Sequence, residues 1–198
     1  MLILKLVFNW KLNYGLYRHS IILRLKALPI ALIMLLFPYH LAIADETLED
    51  GVKAAYLYKF SSYVDWPTSA FTTPNSSFEL CLLGSSDRFN ATLKKIIQGE
   101  SVNGRKIVLH EITNLEKYPS CHILYIGTND PQRSAEMIDT VRGSHVLTVS
   151  DNASQGIIGF TISNNRLRFN IDDAAAAENG LTISSQLLKL AVNVKKRE

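Results

Sequence analysis

Three short apolar runs constrain this chain more than any other feature of it. Phe78-Glu79-Leu80-Cys81-Leu82-Leu83 ends at Gly84, and His122-Ile123-Leu124-Tyr125-Ile126-Gly127 and Val146-Leu147-Thr148-Val149 follow later. Runs of this length without strict polar alternation read as strands buried on both faces of a sheet. Helical patterns separate them. Asp87 to Gln98 places Phe89, Leu93, Ile96 and Ile97 on one side, and Pro131 to Val141 carries proline near its first turn. Arg105 to Ile112 alternates around Ile107, Leu109 and Ile112 and reads as a further strand. Ile157 to Ser163 and Arg166 to Ile171 flank Asn164-Asn165, a tight hairpin signal. Strands alternating with helices predict one α/β domain: a mostly parallel central sheet with an antiparallel edge hairpin and helices on both faces.

The ends of that domain are marked less sharply. Thr47-Leu48-Glu49-Asp50 resembles a capping box, and the apolar stripe Val52, Ala55, Tyr56, Phe60, Tyr63 and Val64 predicts a helix stopped by Asp65-Trp66-Pro67. Asp172 to Glu178 predicts a short Ala-rich helix ending at Asn179-Gly180. Ser184 to Val194 predicts a last amphipathic helix before Lys195-Lys196-Arg197.

Charge divides the chain in two. Residues 1–44 hold five of the 21 Lys and Arg residues and no Asp or Glu, which leaves 16 basic against 18 acidic residues in 45–198. A mildly acidic domain gives no reason to invoke nucleic acid, which needs a basic face. The basic stretch precedes the apolar run Ala27 to Phe37, and Ala42-Ile43-Ala44 places small residues at −3 and −1. The segment 1–44 therefore reads as a signal peptide cleaved after Ala44, with 45–198 exported to the periplasm. The competing readings are an uncleaved anchor, aided by the apolar stretch Leu2 to Trp10, and an over-long start.

Export gives the two cysteines a meaning. Cys81 and Cys121 are the only pair, bound for an oxidising compartment. A bond between them closes a loop worth about 4 kcal/mol in the chain-entropy model. Two buried thiols in core strands are the alternative. Their spacing makes neither a zinc site nor a thioredoxin-like centre.

Motifs of catalysis are absent. The sequence has no G-x-G-x-x-G, P-loop, G-x-S-x-G or H-E-x-x-H pattern. Gly84-Ser85-Ser86-Asp87 reads as an ordinary βα turn with a helix cap, and Gly156-Ile157-Ile158-Gly159 as a place of close backbone approach. His110, His122 and His145 stand at strand edges and read as structural, and Asp172-Asp173 as a cap. No nucleophile–base set assembles. The expectation is a non-enzyme without cofactor or metal.

Two groups of residues read as binding surfaces. Tyr58 and Trp66 lie off the helical stripe and are candidate exposed anchors, with core packing as the alternative. Arg166, Arg168 and Asn170 alternate along one strand and so share a face, where Lys189 of the last helix is a candidate neighbour. A solvated edge that resists aggregation is the plainer reading of the same arginines.

Taken in order, several segments resemble the YfiR-like periplasmic proteins. They are Lys53-Ala54-Ala55-Tyr56-Leu57-Tyr58-Lys59-Phe60 leading to Trp66-Pro67, Cys81-Leu82-Leu83-Gly84, Asn103-Gly104-Arg105 and Cys121-His122-Ile123-Leu124-Tyr125-Ile126. Val146 to Asp151, Arg168-Phe169-Asn170-Ile171 and Gly180 to Leu188 complete the set, which covers nearly all of 50–194. The resemblance implies a repressor, often dimeric, that binds the periplasmic sensor domain of an inner-membrane diguanylate cyclase and lowers cyclic di-GMP and biofilm formation. It also implies sequestration by an outer-membrane OmpA-like lipoprotein with a peptidoglycan-binding domain. Cys81 and Cys121 match the family's cysteines in the first and third strands, which supports the disulfide. The segment 151–160 has no cysteine where the best-known member carries a second pair, so a switch through that pair is missing here. A small-ligand-binding component of a sensory or transport system is the reading of another class.

Overall fold

A computed structural model describes residues 41–115, 120–128 and 130–197. The chain divides into two units, Met1–Thr47 and Leu48–Glu198. The expected leader lies outside the described residues apart from Leu41 to Ala44, which belong to the first helix of the described residues.

That helix, α1, runs Leu41–Phe60. It passes straight through the expected capping box, so Thr47 is not its cap. Leu41, Ala42 and Ala44 are strong helix formers, and nothing in Asp45-Glu46 stops a helix. The helix also ends four residues earlier than the apolar stripe predicts. Ser61 Oγ donates to the Tyr58 carbonyl at 2.5 Å, the kind of local bond that competes with helical pairing. Val64–Asp65 instead forms strand β1, paired antiparallel with Ile183 and Thr182 of β9 (Thr182–Ile183).

The central strands follow the sequence closely. They are β2 (Phe78–Leu83), β4 (Arg105–Ile112), β5 (Ile123–Ile126), β6 (Leu147–Ser150), β7 (Ile158–Ser163) and β8 (Arg166–Asp172). Short strands β3 (Ser101–Val102) and β10 (Val194–Lys195) complete an eight-stranded sheet in the order β10-β8-β7-β6-β5-β2-β4-β3. Pairing is parallel from β7 to β4 and antiparallel for β7–β8 and β3–β4. The β7–β8 turn places Asn164 and Asn165 both at positive φ, 51° and 56°, as a type I′ hairpin requires.

Helices cover both faces. Leu57 and Phe60 of α1, with Phe89 and Leu93 of α2 (Asp87–Ile96), pack against Leu80, Leu82, Ile123, Tyr125, Phe160 and Phe169. Met137 and Ile138 of α3 (Pro131–Thr140) pack on Cys81, Leu83, Leu124 and Ile126 on the other side. Neighbouring residues of one strand thus serve opposite cores, which is why the runs are apolar without alternation.

The last predicted helix is the main difference. After α4 (Asp173–Glu178), helix α5 spans only Ser185–Leu190, and the chain then extends. Val192 N–H donates to the Phe169 carbonyl and Ile171 N–H to the Asn193 carbonyl, both at 2.9 Å, before β10 pairs parallel with β8. An edge strand's unpaired backbone groups outweigh a weak helical pattern that contains two β-branched valines. The hairpin is therefore flanked by one more short strand.

Glycine does what the sequence implies at position 159. A Cβ there would lie 2.6 Å from the Asn152 carbonyl oxygen and 2.7 Å from that of Ala153. Only glycine lets the 151–156 loop lie so close on β7.

Candidate functional site

Strand β8 carries the first candidate surface. Arg166 and Arg168 are exposed and Asn170 is half-buried. Both arginines line a groove of about 600 Å³ with Ser163, Asn164, Ala191 and Val192. Arg168 Nη2 donates to the Leu190 carbonyl at 3.2 Å, which closes α5 onto the hairpin. Ile162, Leu190 and Val192 stay 60%, 54% and 42% exposed around this end of the sheet. Asn170 plays a different part: its Nδ2 donates to the Ala153 carbonyl and its Oδ1 accepts from Asn193. It ties the 151–156 loop to the C-terminal strand. Lys189 is exposed in the last turn of α5 but does not line the groove.

Tyr58 and Trp66 are half-buried, not the exposed anchors that their positions in the sequence suggest. Tyr58 donates to Glu100 Oε2 at 2.6 Å, and this bond holds the phenol above its usual pKa. It thereby fixes α1 to the turn before β3. Trp66 sits edge-on to Phe78 at 5.0 Å and 87°. Among the described residues its buried indole Nε1 has no hydrogen-bond partner.

Trp66 begins an aromatic stack that the sequence did not reveal. Phe78 lies against the His122 ring at 5.0 Å, His122 against Phe71 at 4.5 Å, and the Arg105 guanidinium over Phe71 at 3.8 Å. Arg105 Nη1 also donates to the carbonyls of Thr73 and Ser76, at 3.3 and 2.7 Å. One side chain of β4 therefore pins the whole segment between β1 and β2. No local periodicity links residues 66, 71, 78, 105 and 122, so only their meeting across three elements reveals the stack.

His122 is structural in a definite protonation state. Its Nδ1 accepts the Glu79 N–H at 2.9 Å, so Nε2 must carry the proton that meets the Ala70 carbonyl at 3.1 Å. Burial is the largest influence and holds the ring below its ordinary pKa, despite the opposing Ala70 carbonyl. His110 Nε2 meets Glu79 Oε2 at 2.5 Å, and His145 bonds the Asn179 carbonyl and Ser69. Asp172 caps α4 by accepting from Ala175 N–H and also pairs with Lys195 at 2.9 Å.

Two further features tie the elements together. Lys53 pairs with Glu49 at 2.8 Å and Asp151 at 3.2 Å, while Tyr125 donates to the same Asp151 at 2.9 Å. Cys81 and Cys121 are disulfide-bonded with Cα atoms 5.8 Å apart, and they join β2 to the residue two before β5.

Among the described residues, no group of three or more His, Cys, Asp or Glu side chains is placed to hold a metal, and no helix is long and apolar enough to cross a membrane. The fold and its surfaces define the class: a small, disulfide-tied α/β domain with an arginine-lined groove at one end of its sheet. Residues 50–192 match the YfiR/HmsC-like family, and the chain belongs to that family.

Proposed function

We propose that this chain is a non-catalytic periplasmic regulator that represses an inner-membrane diguanylate cyclase by binding its periplasmic sensor domain. The observation that carries the reading is family membership over 50–192. The groove with Arg166 and Arg168 is the surface we assign to the partner, because arginine beside exposed apolar side chains is a composition that interfaces favour. Its charge calls for an acidic patch on the cyclase. Such a protein lowers output only by binding the cyclase's off state more tightly than its on state. In this reading the chain is a homodimer, and an OmpA-like lipoprotein sequesters it under envelope stress.

Reversing the groove's charge tests this. A strain carrying the cyclase and the double variant Arg166→Glu, Arg168→Glu should show cyclic di-GMP as high as a strain lacking the gene, with the variant still present in the periplasm. Cyclic di-GMP that stays at the wild-type level when the gene itself is deleted overturns the repressor reading. A deletion that raises it, with a double variant that does not, overturns the surface assignment alone.

A further inference from the structure

The two edges of the sheet are finished differently. Past α5 the C-terminal chain lies along β8, where Val192, Asn193 and β10 pair with it. Beside β4, strand β3 pairs only with Arg105 and Lys106 and then stops. Asn103 and Gly104, at φ 50° and 78°, form the two-residue loop between them. The residues flanking such a loop exchange both of their backbone hydrogen bonds. The N–H and C=O of Arg105 therefore face outward to β3, and period two turns those of Leu109 and Glu111 outward as well. No strand meets these groups among the described residues.

An open edge is normally guarded by proline, a bulge or an inward-pointing charge. The run Ile107-Val108-Leu109-His110-Glu111 holds no proline and has the half-buried Leu109 at its centre. Beside it runs a groove of about 830 Å³ lined by Lys94, Ile97, Ile107, Val108 and Leu109 with the turn before β3. Lys94 and Glu111 are both exposed and belong to no ion pair among the described residues.

These two charges fit a second copy of the chain. A two-fold axis normal to the sheet sets two β4 strands antiparallel and keeps each face on its own side. Pairing about His110 then brings Leu109 opposite Glu111 of the second copy, and keeps the incoming strand clear of β3. Leu109 packs on the core under α1 and α2. The Glu111 carboxylate that arrives beside it therefore enters the groove that Lys94 lines. Symmetry repeats the contact on the other side.

We propose that β4 joins two copies of this chain edge to edge, antiparallel about His110, so that their sheets run on as one. Leu109 N–H donates to the Glu111 carbonyl of the second copy, and the Leu109 carbonyl accepts from the N–H of the same residue. Lys94 of each copy pairs with Glu111 of the other. The proposal rests on the homodimer of the reading above only in naming a second copy as the occupant.

Sedimentation of the protein purified from the periplasm, over about 1–100 μM, tests this. The wild type should be dimeric at the top of that range. Glu111→Lys and Lys94→Glu, both at exposed positions, should each raise the dissociation constant at least about tenfold by setting like charges face to face. The double variant Lys94→Glu, Glu111→Lys makes the charges opposite again and should bring dimerisation back near the wild-type level. Circular dichroism and urea midpoints of each variant should match the wild type. A wild type that stays monomeric throughout overturns both this proposal and the homodimer. A dimer that neither single variant weakens, or that the double variant does not restore, overturns the β4 edge and leaves the homodimer standing.

Discussion

The two ends of the sheet use arginine in opposite ways. Arg105 on β4 is half-buried, stacked on Phe71 and bonded to two carbonyls of the segment that crosses above it. Arg166 and Arg168 on β8 are exposed, and among the described residues they make one hydrogen bond between them, the 3.2 Å bond to Leu190. The difference arises from what covers each strand. The 66–76 segment folds down over β4 and needs an anchor, because its carbonyls would otherwise face apolar rings. The arginines of β8 stand exposed beside Ala191 and Val192, just after α5, so their guanidiniums stay largely in water. Arg105 is therefore part of the fold, whereas the β8 pair is available to a partner.

The largest effect in this comparison is expected between the two ends. Cys81→Ser should lower stability by about 2–4 kcal/mol in urea unfolding under oxidising conditions, since it opens the loop from 81 to 121. The loss should loosen the Arg105 end first, because β2 lies directly beside β4. Hydrogen exchange that rises equally or more in β7 and β8 would remove that distinction. Arg105→Ala comes next, at about 1–3 kcal/mol, from charged hydrogen bonds and a stacked cation that are only partly screened. Arg105→Lys should recover little of it, because an ammonium cannot keep both the stack and the two carbonyls. Full recovery by lysine would mean that charge alone matters at this end.

His122 sharpens the comparison through pH. Its pKa in the folded protein is below the ordinary 6.5, so the unfolded chain binds the proton more readily. Stability is then complete above pH 6.5 and falls as pH drops below it toward the folded pKa. Protonation would put a second N–H against that of Glu79. Urea midpoints measured at several pH values between about 7 and 5 should therefore decline, and His122→Gln should flatten that slope even if it lowers stability throughout. An unchanged slope in the variant would place the acid sensitivity elsewhere.

The same contrast explains what was legible in the sequence. Strands β2, β5 and β6 were readable because short apolar runs admit few other structures, and the hairpin because Asn164-Asn165 supplies two residues tolerant of positive φ. The arginines of β8 were readable as a face because period-two alternation is local. Strands β1 and β10 were not, since two-residue pairings with Ile183 and Ile171 are decided by partners far along the chain. The meeting of Phe71, Arg105 and His122 gave no signal for a related reason: a stack assembled from three distant segments has no period. Trp66 could be read either as an exposed anchor or as core, because its exposure depends on Phe78, which no neighbour in sequence predicts.

The smallest expected effect on stability is the most informative about function. Arg166→Ala and Arg168→Ala should each change unfolding free energy by no more than about 0.5 kcal/mol, because exposed side chains with at most one backbone contact contribute little to folding. If the groove holds a partner, the same substitutions should weaken capture of the cyclase's sensor domain measurably, since arginines at interface centres are frequent hot spots. Arg105→Ala should show the reverse pattern at that partner surface: a marked loss of stability and, at a temperature where it remains folded, unchanged capture. A destabilising Arg168→Ala would make the Leu190 bond a structural clamp and bring the two ends of the sheet onto the same footing. Weak effects of all three on capture would move the partner surface off the arginines and onto the exposed Ile162, Leu190 and Val192 around them, where Leu190→Glu would test it directly.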